Sequence, residues 1–323
     1  MSEILVITCP SGKQAAHLIP LIYQKGQFKL RLAAHSESSI SRLQTLYPDA
    51  EVMHSDISTL QDCRTLLKGA TAVYHVGPSF HSREMEMGFN MIDAAVAESQ
   101  TPGNVFTHFV FSSVLATQHR NLMQHDLKSR IEERLFLSPL RFTILQPTNF
   151  MDAYPVAHLA GQESPVIQRL WNPEIPISVI ALRDLAQAAA TVLVEREAHY
   201  YAQYPLASTL PISDAEVVRV IEKQIGKNVE IKTPSFEQGV QNVIQYLFGG
   251  AEAAVYAGER VDGDMNRPAA VGDLRPDITR DAAERLVLFY NRRGLKGNPG
   301  VLRWLIKREP TSVEEWVRLQ LQS

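Results

Sequence analysis

Cysteine is scarce in this chain, and so are the features that mark special classes of protein. Two cysteines, Cys9 and Cys63, among 323 residues supply neither a disulfide framework nor metal-ligand spacing, so we expect no metal. The net charge is only -3, which gives no electrostatic reason to expect nucleic acid or an anionic membrane as a partner. No apolar run approaches the ~18 residues of a membrane span, and the first residues lack the character of a signal peptide. These absences predict a protein of a reducing, cytoplasmic compartment.

Strand-like and helix-like segments alternate along the first half of the chain. Each strand-like run is short and apolar, as in a parallel sheet covered on both faces, and apolar residues at helical spacing follow it. Ser38 or Ser39 is the expected cap of the helix after the second strand. The predicted strands are Ile4–Ile7, Leu30–Ala34, Glu51–His54, Ala72–Val76, Thr107–Ser112 and Phe142–Leu145. This alternation predicts an α/β, doubly wound parallel Rossmann-like sheet, with residues 1–150 as a dinucleotide-binding domain.

Beyond residue 150, recurrent prolines interrupt the alternation of strands and helices. Helical segments without strong strands follow, so residues 151–323 are predicted to form a smaller, mainly helical substrate or lid region. One strand-like run at 177–180 leads into a helix at 182–195, and residues 177–196 are expected to return to the main sheet. Residues 257–276, rich in Gly, Asp, Arg and Pro, predict either a loop that borders a ligand or a plain exposed connection.

The turn after the first strand has the spacing of a dinucleotide-binding loop but keeps one glycine of three. Cys9, Gly12 and Ala15 occupy the three glycine positions. Gly12 keeps the position that lets the backbone approach a pyrophosphate, and Ala15 adds one methyl group where helix and strand pack. Cys9 is compatible with this turn only if its φ is negative. The segment predicts a nucleotide site, with a strand, turn and helix that bind nothing as the alternative.

Six segments, in a fixed order along nearly the whole chain, have the character of one known family. They are Thr8–Ala15, Arg31–His35, Asp56, Lys128 with Glu132, Gln146–Met151 and Arg303–Val317. Together they resemble the NmrA-like branch of the atypical short-chain dehydrogenases/reductases. Each segment alone is common, but their order and spacing make the resemblance fairly specific.

The resemblance implies an NADP(H) site built from the strand ends. His35 stands where the family often has an arginine for the 2′-phosphate. An imidazole is only partly cationic near pH 7, so Lys13 is the candidate for the missing charge. The implied contacts are Ser11, Gly12, Lys13 and Gln14 for the phosphates, His35 and Ser36 for the 2′-phosphate, Asp56 and Ile57 for adenine, Gly77, Pro78 and Ser79 for ribose and diphosphate, and Pro147, Asn149 and Phe150 for nicotinamide. The alternatives are an exposed loop residue at His35, a helix cap at Asp56 and an ordinary turn at Gly77.

The catalytic positions depart from the superfamily. A typical reductase of this class has a tyrosine four residues before its lysine, and the tyrosine gives a proton to the carbonyl. Here Gln124 stands four residues before Lys128, and Val114 falls where the carbonyl-polarising serine is expected. Lys128 is interpreted as a cofactor or active-site residue, with an ordinary ion pair to Glu132 as the alternative.

Other proton donors or acceptors are predicted on the substrate side. Asp152 and His125 are the candidates, because a carboxyl group in an apolar pocket can act as a general acid near neutral pH. The alternative for Asp152 is a helix N-cap. Aromatic and apolar residues nearby predict a pocket for a flat or polycyclic molecule, with ordinary core packing as the alternative. These residues are Phe150, Met151, Tyr154 and Trp171.

Three functions fit these residues. The first is an NADP(H)-binding enzyme of specialised metabolism that acts on a hydrophobic small molecule, through hydride transfer or a non-redox, acid-assisted step such as cyclisation. The second is a sensor of the NADP(H)/NADP+ ratio that binds a regulatory protein. The third is an α/β domain that no longer binds nucleotide. No oligomeric state is predicted.

Overall fold

The computed structural model describes residues 3–78, 81, 83–248 and 276–322. The strands are β1 (Glu3–Thr8), β2 (Phe28–Ala34), β3 (Glu51–His54), β4 (Ala72–Val76), β5 (His108–Ser112), β6 (Phe142–Pro147), β7 (Asn149–Phe150), β8 (Val166–Gln168), β9 (Val179–Ile180), β10 (Ala202–Leu206) and β11 (Glu230–Lys232). The helices are α1 (Lys13–Lys25), α2 (Glu37–Leu46), α3 (Leu60–Leu67), α4 (Glu84–Ser99), α5 (Met123–Phe136), α6 (Val156–Gly161), α7 (Leu182–Glu195), α8 (Asp214–Ile225), α9 (Phe236–Phe248), α10 (Pro276–Arg292), α11 (Gly300–Ile306) and α12 (Val313–Gln322). The predicted contact Ser79 and residues 257–275 of the predicted loop lie outside the described residues, and α10 begins at Pro276.

A seven-stranded parallel sheet contains six strands of the first half and one of the second. Its strand order is β10-β6-β5-β4-β1-β2-β3, and every pair of neighbours is parallel. The chain therefore moves outward from β1 in one direction to β3 and in the other to β10. The crevice between the carboxyl ends of β1 and β4 is the point at which ligands bind in doubly wound sheets. The predicted fold class is confirmed.

The two faces of the sheet explain the unbroken apolar character of β1. Leu5 and Ile7 pack on the face that α1 and α7 cover, whereas Val6 packs on the face that α3, α4 and α5 cover. Successive side chains of a strand point to opposite faces, so a strand with helices on both sides has no solvent-facing positions. All three side chains are fully buried.

The second half differs from expectation at its strands. The predicted strand at 177–180 forms over Val179–Ile180 and pairs with β7 in a separate two-stranded sheet, so it does not join the main sheet. Helix α7, which follows it, does pack on the main sheet beside α1. The strand that enters the sheet is β10, which pairs with β6 at the edge. Its partly exposed sequence contains Pro205, which is tolerated at an edge but weakens the strand pattern.

A separate core holds the second half together. Helices α8, α9, α10 and α12 pack apolar side chains into it, including Val217, Val240, Val287 and Trp316. Among the described residues, no helix combines the length and the apolar character that crossing a membrane requires. The division of the chain at residue 150 stays a prediction.

Candidate functional site

The loop between β1 and α1 makes its turn at Cys9. This residue has φ +48°, so the expectation of a negative φ is wrong. The left-handed region costs a non-glycine residue roughly 1–2 kcal/mol, and it is the region that a glycine in this first position would enter freely. The Gly12 N–H donates to the Cys9 carbonyl oxygen at 2.9 Å and closes the turn. Burial raises the pKa of the Cys9 thiol to about 12, which makes a reactive thiolate unavailable near neutral pH.

Helix α1 points its N-terminus at the crevice. Gly12 is the N-cap residue, and glycine has no side chain that would cover the first-turn N–H groups, which favour an anion together with the helix dipole. Lys13 is exposed. Gln14 ties the helix to the sheet, because its Oε1 accepts from the Ser112 hydroxyl at 2.6 Å and from the Tyr74 hydroxyl at 3.4 Å. The predicted phosphate contacts therefore stand together at one strand end.

The residues predicted to meet adenosine follow β2 and β3. Ser36, not Ser38 or Ser39, caps α2, because its hydroxyl accepts from the Ser39 N–H at 3.2 Å. The centroid of the His35 ring lies 5.8 Å from that of the His54 ring. His54 is the last residue of β3 and pairs with Ala34 at the end of β2. The Asp56 carboxylate accepts from the Ser58 N–H at 3.0 Å, whereas the N-cap of α3 is Thr59.

Ile57 is 4% exposed and packs in the core beneath α3 and α4. Its side chain is therefore not at a surface that could face adenine, and only its backbone remains for the predicted contact. The helix-cap alternative for Asp56 is wrong, because that carboxylate stabilises the turn before α3.

Lys128 forms a buried ion pair with Glu84, a residue that the sequence analysis does not single out. The side chains of Lys128 and Glu84 are 6% and 0% exposed. Gly77 makes room for the carboxylate, since a Cβ at Gly77 would lie 3.3 Å from Glu84 Oε1. In the sequence, the only feature that distinguishes Glu84 is that its carboxylate stands at the start of the helix after β4.

The alternative pairing of Lys128 with Glu132 is wrong. Glu132 is also buried, but it accepts hydrogen bonds from the Ser113 hydroxyl at 2.5 Å, the Gln146 amide at 2.9 Å and the Thr117 hydroxyl at 3.0 Å. The two side chains lie one helical turn apart on α5 and have separate partners. Glu132 fastens α5 to the ends of β5 and β6, whereas Lys128 is held from α4.

A cavity of about 360 Å³ connects this region with the second half. Val114 and Gln124 line it together with Lys128, so the positions at which a serine and a tyrosine were expected do face a common space. The predicted site residues on its wall are Lys13, Gln14, His125, Lys128, Pro147, Asn149, Phe150 and Asp152. The others follow the strand ends outside this wall: Ser11, Gly12, His35, Ser36, Asp56, Ile57, Gly77 and Pro78. Their predicted roles stay predictions.

The two candidate acids differ in what they can do. The His125 Nδ1 lies 2.9 Å from the Ala116 carbonyl oxygen, so in the neutral ring Nδ1 carries the proton and Nε2 is an acceptor. Burial lowers the pKa of His125 to about 4, so near pH 7 the ring is neutral, cannot act as a general acid and offers only a weakly basic Nε2. Asp152 lies within a short 3-10 helix whose N-cap is Phe150, which removes the N-cap alternative. Its Oδ2 is buried without a hydrogen-bond partner.

Aromatic side chains also line the cavity. Trp171 stacks on Tyr290 with ring centroids 4.1 Å apart and planes at 18°. Phe150, Tyr154 and Trp171 line the cavity as predicted, whereas Met151 is not on its wall and is buried in the second-half core.

A buried ion pair that the sequence analysis missed also borders the cavity. Arg169 donates from Nε and Nη2 to the two carboxylate oxygens of Asp214 at 2.7 and 3.0 Å. The Tyr154 hydroxyl donates to the same carboxylate, and the guanidinium lies over the Tyr154 ring at 4.7 Å. Burial raises the pKa of Tyr154, so this phenol is a poor substitute for the missing catalytic tyrosine. Residues so far apart in the chain carry no sequence signal of this pairing.

Comparison with protein families matches residues 1–284 to the NmrA-like family. The chain belongs to this family. The predicted membership is thus confirmed, and no curated protein matches by sequence. In the part of the chain that the structure describes, no group of three or more His, Cys, Asp or Glu side chains is arranged to hold a metal.

Solved structures of low sequence identity share the NmrA-like fold. Citrobacter sp. triphenylmethane reductase complexed with NADP(H) is 17% identical, with a TM-score of 0.73 over 98% of this chain and 99% of that chain. The NADPH-dependent quinone oxidoreductase QOR2 of Escherichia coli is 18% identical, with a TM-score of 0.71 over 98% of both chains. A variant of NmrA is 14% identical, with a TM-score of 0.69 over 98% of this chain and 95% of that chain.

Proposed function

We propose that this NmrA-like protein binds NADP(H) along the carboxyl ends of its strands and acts on a hydrophobic small molecule in the adjoining cavity. The observation that carries the proposal is the cavity itself. Lys13 and Gln14 at the start of α1, Lys128 on α5 and the stacked rings of Trp171 and Tyr290 all line it. A nucleotide at the N-terminus of α1 would therefore adjoin a space bordered by aromatic side chains.

The residues present fit a dinucleotide. The left-handed turn at Cys9 and the bare N-cap at Gly12 leave the N-terminus of α1 open to a pyrophosphate. His35 and Lys13 would meet the 2′-phosphate, while Pro147, Asn149 and Phe150 would border the nicotinamide. Two enzymes of the same fold, one complexed with NADP(H) and one named as NADPH-dependent, support this assignment.

The side chains of the cavity support chemistry that does not depend on a tyrosine. Bound NADPH would supply a hydride, and the protein would hold the substrate and manage protons. Glu84 gives Lys128 a permanent counter-charge. Neutral His125 is able to accept a proton, and Asp152 presents a carboxyl group whose Oδ2 has no partner. Hydride transfer and an acid-assisted step such as cyclisation both fit these groups, and we place the reaction in specialised metabolism in the cytoplasm.

A second candidate is a sensor of the NADP(H)/NADP+ ratio that binds a regulatory protein. The observation that favours it is the pair of residues on the cavity wall beside Lys128. Val114 and Gln124 cannot serve as general acids. A protein that only binds the nucleotide would not need a general acid at these positions.

Nucleotide binding is tested by titrating NADPH and NADP+ separately into the wild type and Gly12→Asp. The aspartate can still cap α1, but it places negative charge and bulk where the pyrophosphate would lie. We expect at least a tenfold loss of affinity, about 1.4 kcal/mol. Gly161→Asp is the matched control, because open space surrounds a Cβ at Gly161. Equal affinity of wild type and Gly12→Asp would remove the cofactor assignment.

The reaction type is tested by following NADPH absorbance with hydrophobic carbonyl, imine and alkene compounds. Consumption of NADPH supports hydride transfer. Product formation without a change in NADPH supports the non-redox step. Nucleotide binding without turnover, together with capture of a partner that depends on the redox form, would favour the sensor.

A further inference from the structure

Three nitrogen donors on the substrate side of the cavity have no acceptor within the described structure. Trp171 Nε1 and Asn149 Nδ2 are buried and make no hydrogen bond. Arg169 uses Nε and Nη2 on Asp214, which leaves Nη1 without an acceptor. All three residues line the cavity. Buried N–H groups without partners, as at Trp171 and Asn149, are uncommon, because each costs the free energy of its lost hydration.

Packing holds these donors in place. The Tyr290 hydroxyl donates to Asn149 Oδ1 at 2.9 Å, so the amide turns its Nδ2 edge away from that bond. Trp171 lies flat on the same Tyr290 ring, which fixes the plane of its indole. Asp214 fixes the guanidinium group of Arg169 through two hydrogen bonds. A ligand that supplies an acceptor would meet donors that lose little freedom on binding.

The charges of the cavity favour an acceptor without charge of its own. Asp214 already balances Arg169, and Glu84 balances Lys128. Asp152 adds a carboxyl group to the same wall. A carboxylate ligand would bring a further negative charge into a site whose buried cations are already neutralised, and burying an uncompensated charge is costly.

We propose that Arg169, Asn149 and Trp171 form a subsite that recognises a neutral carbonyl oxygen on a planar aromatic substrate. The aromatic part of the substrate packs against the rings of Trp171 and Tyr290, and the carbonyl oxygen accepts from one or two of the three donors through its two lone pairs. This inference rests on the proposed function only in taking the cavity as the substrate site. It assigns the substrate class and the residues that select it.

Three probes of one shape test the subsite by calorimetry with the full chain, with and without NADP+. They are 1-acetylnaphthalene, 1-ethylnaphthalene and 1-naphthoate, which present a neutral carbonyl, no acceptor and a carboxylate. We expect the ketone to bind roughly tenfold more tightly than the hydrocarbon, as one or two hydrogen bonds in a dry site would give. We also expect it to bind more tightly than the naphthoate.

Matched variants assign the donors. Trp171→Phe keeps a ring on Tyr290 but removes the N–H, and Asn149→Asp keeps the Tyr290 bond but replaces the donor by an acceptor. Each should weaken ketone binding roughly fivefold or more while leaving 1-ethylnaphthalene within about twofold. Tighter binding of the naphthoate, equal binding of ketone and hydrocarbon, equal losses for both probes or no binding of any probe would overturn the subsite. Failure of the nucleotide assignment is separate, since it shows as absence of NADP(H) binding to the wild type.

Discussion

Removal of Glu84 is the sharpest test of how the site holds Lys128. Glu84→Gln keeps the shape of the side chain but leaves the Lys128 ammonium without its counter-charge. The two side chains are 0% and 6% exposed, and the carboxylate fills the space beside Gly77. Water therefore has little access to the ammonium, so much of the cost of a buried unpaired charge should appear in the stability of the fold.

The expected magnitude follows from that burial. Breaking a buried ion pair by removing one partner costs about 3–5 kcal/mol. For a chain of 323 residues the entropy of unfolding is roughly 0.7 kcal/mol/K, so Tm should fall by about 4–7 °C. Replacing both partners removes the unpaired charge, and Glu84→Gln combined with Lys128→Met should recover most of this loss.

Thermal unfolding followed by circular dichroism measures the effect. Asp93→Asn is the matched control, because Asp93 on α4 pairs with Arg134 on α5 across the same two helices, but with side chains that are 39% and 47% exposed. An exposed pair contributes about 0–1 kcal/mol, so Tm should change by less than about 2 °C. If Glu84→Gln behaves like Asp93→Asn, or if the double variant is less stable than Glu84→Gln, the buried pair does not have the assigned role.

Three further predictions concern stability. Burial lowers the pKa of His125 to about 4. Between about pH 6.5 and pH 4 only the unfolded state takes up this proton, so the free energy of unfolding decreases as the pH falls through that range. His125→Gln should reduce this decrease by about 2–3 kcal/mol, as measured by denaturant titrations at both pH values. Cys9→Gly should be about 1 kcal/mol more stable than Cys9→Ala, because only glycine adopts φ +48° freely; equal stability would contradict the strain. Gly88→Ala should cost about 1–3 kcal/mol, because its Cβ would lie 2.6 Å from Ile131 Cδ1, whereas Gly161→Ala, with open space around it, should be nearly neutral.

The alternation of strands and helices was readable because it depends on local pattern. Runs such as Ile4–Ile7 are short, rich in β-branched residues and apolar at every position, which is typical of a strand covered on both faces. The edge strand β10 was missed because it is half exposed and contains Pro205, so its membership in the sheet depends on pairing with β6. The short strand at Val179–Ile180 was recognised, but its partner was not, since the same apolar run fits either sheet.

The sequence also predicts where the nucleotide site lies, because glycine loops and strand ends have a fixed order along the chain. It does not predict which residues pair with the charged groups of the site. Lys128 was expected either at the cofactor or with Glu132, four residues away, yet it pairs with Glu84, which precedes it by 44 residues. Arg169 and Asp214 are likewise 45 residues apart. Nothing in either local sequence distinguishes a buried ion pair from two solvated charges.

The sequence by itself determined the order of elements in the first half, the family and the position of the turn at Cys9, since periodicity and loop spacing are properties of neighbouring residues. Only the tertiary structure decided that this turn is left-handed, that Glu84 holds Lys128, and that Asn149, Arg169 and Trp171 present donors to one cavity. The ion pair forms only when α4 and α5 pack together and exclude water from it. The donors meet only when the second half packs against the strand ends and encloses the cavity.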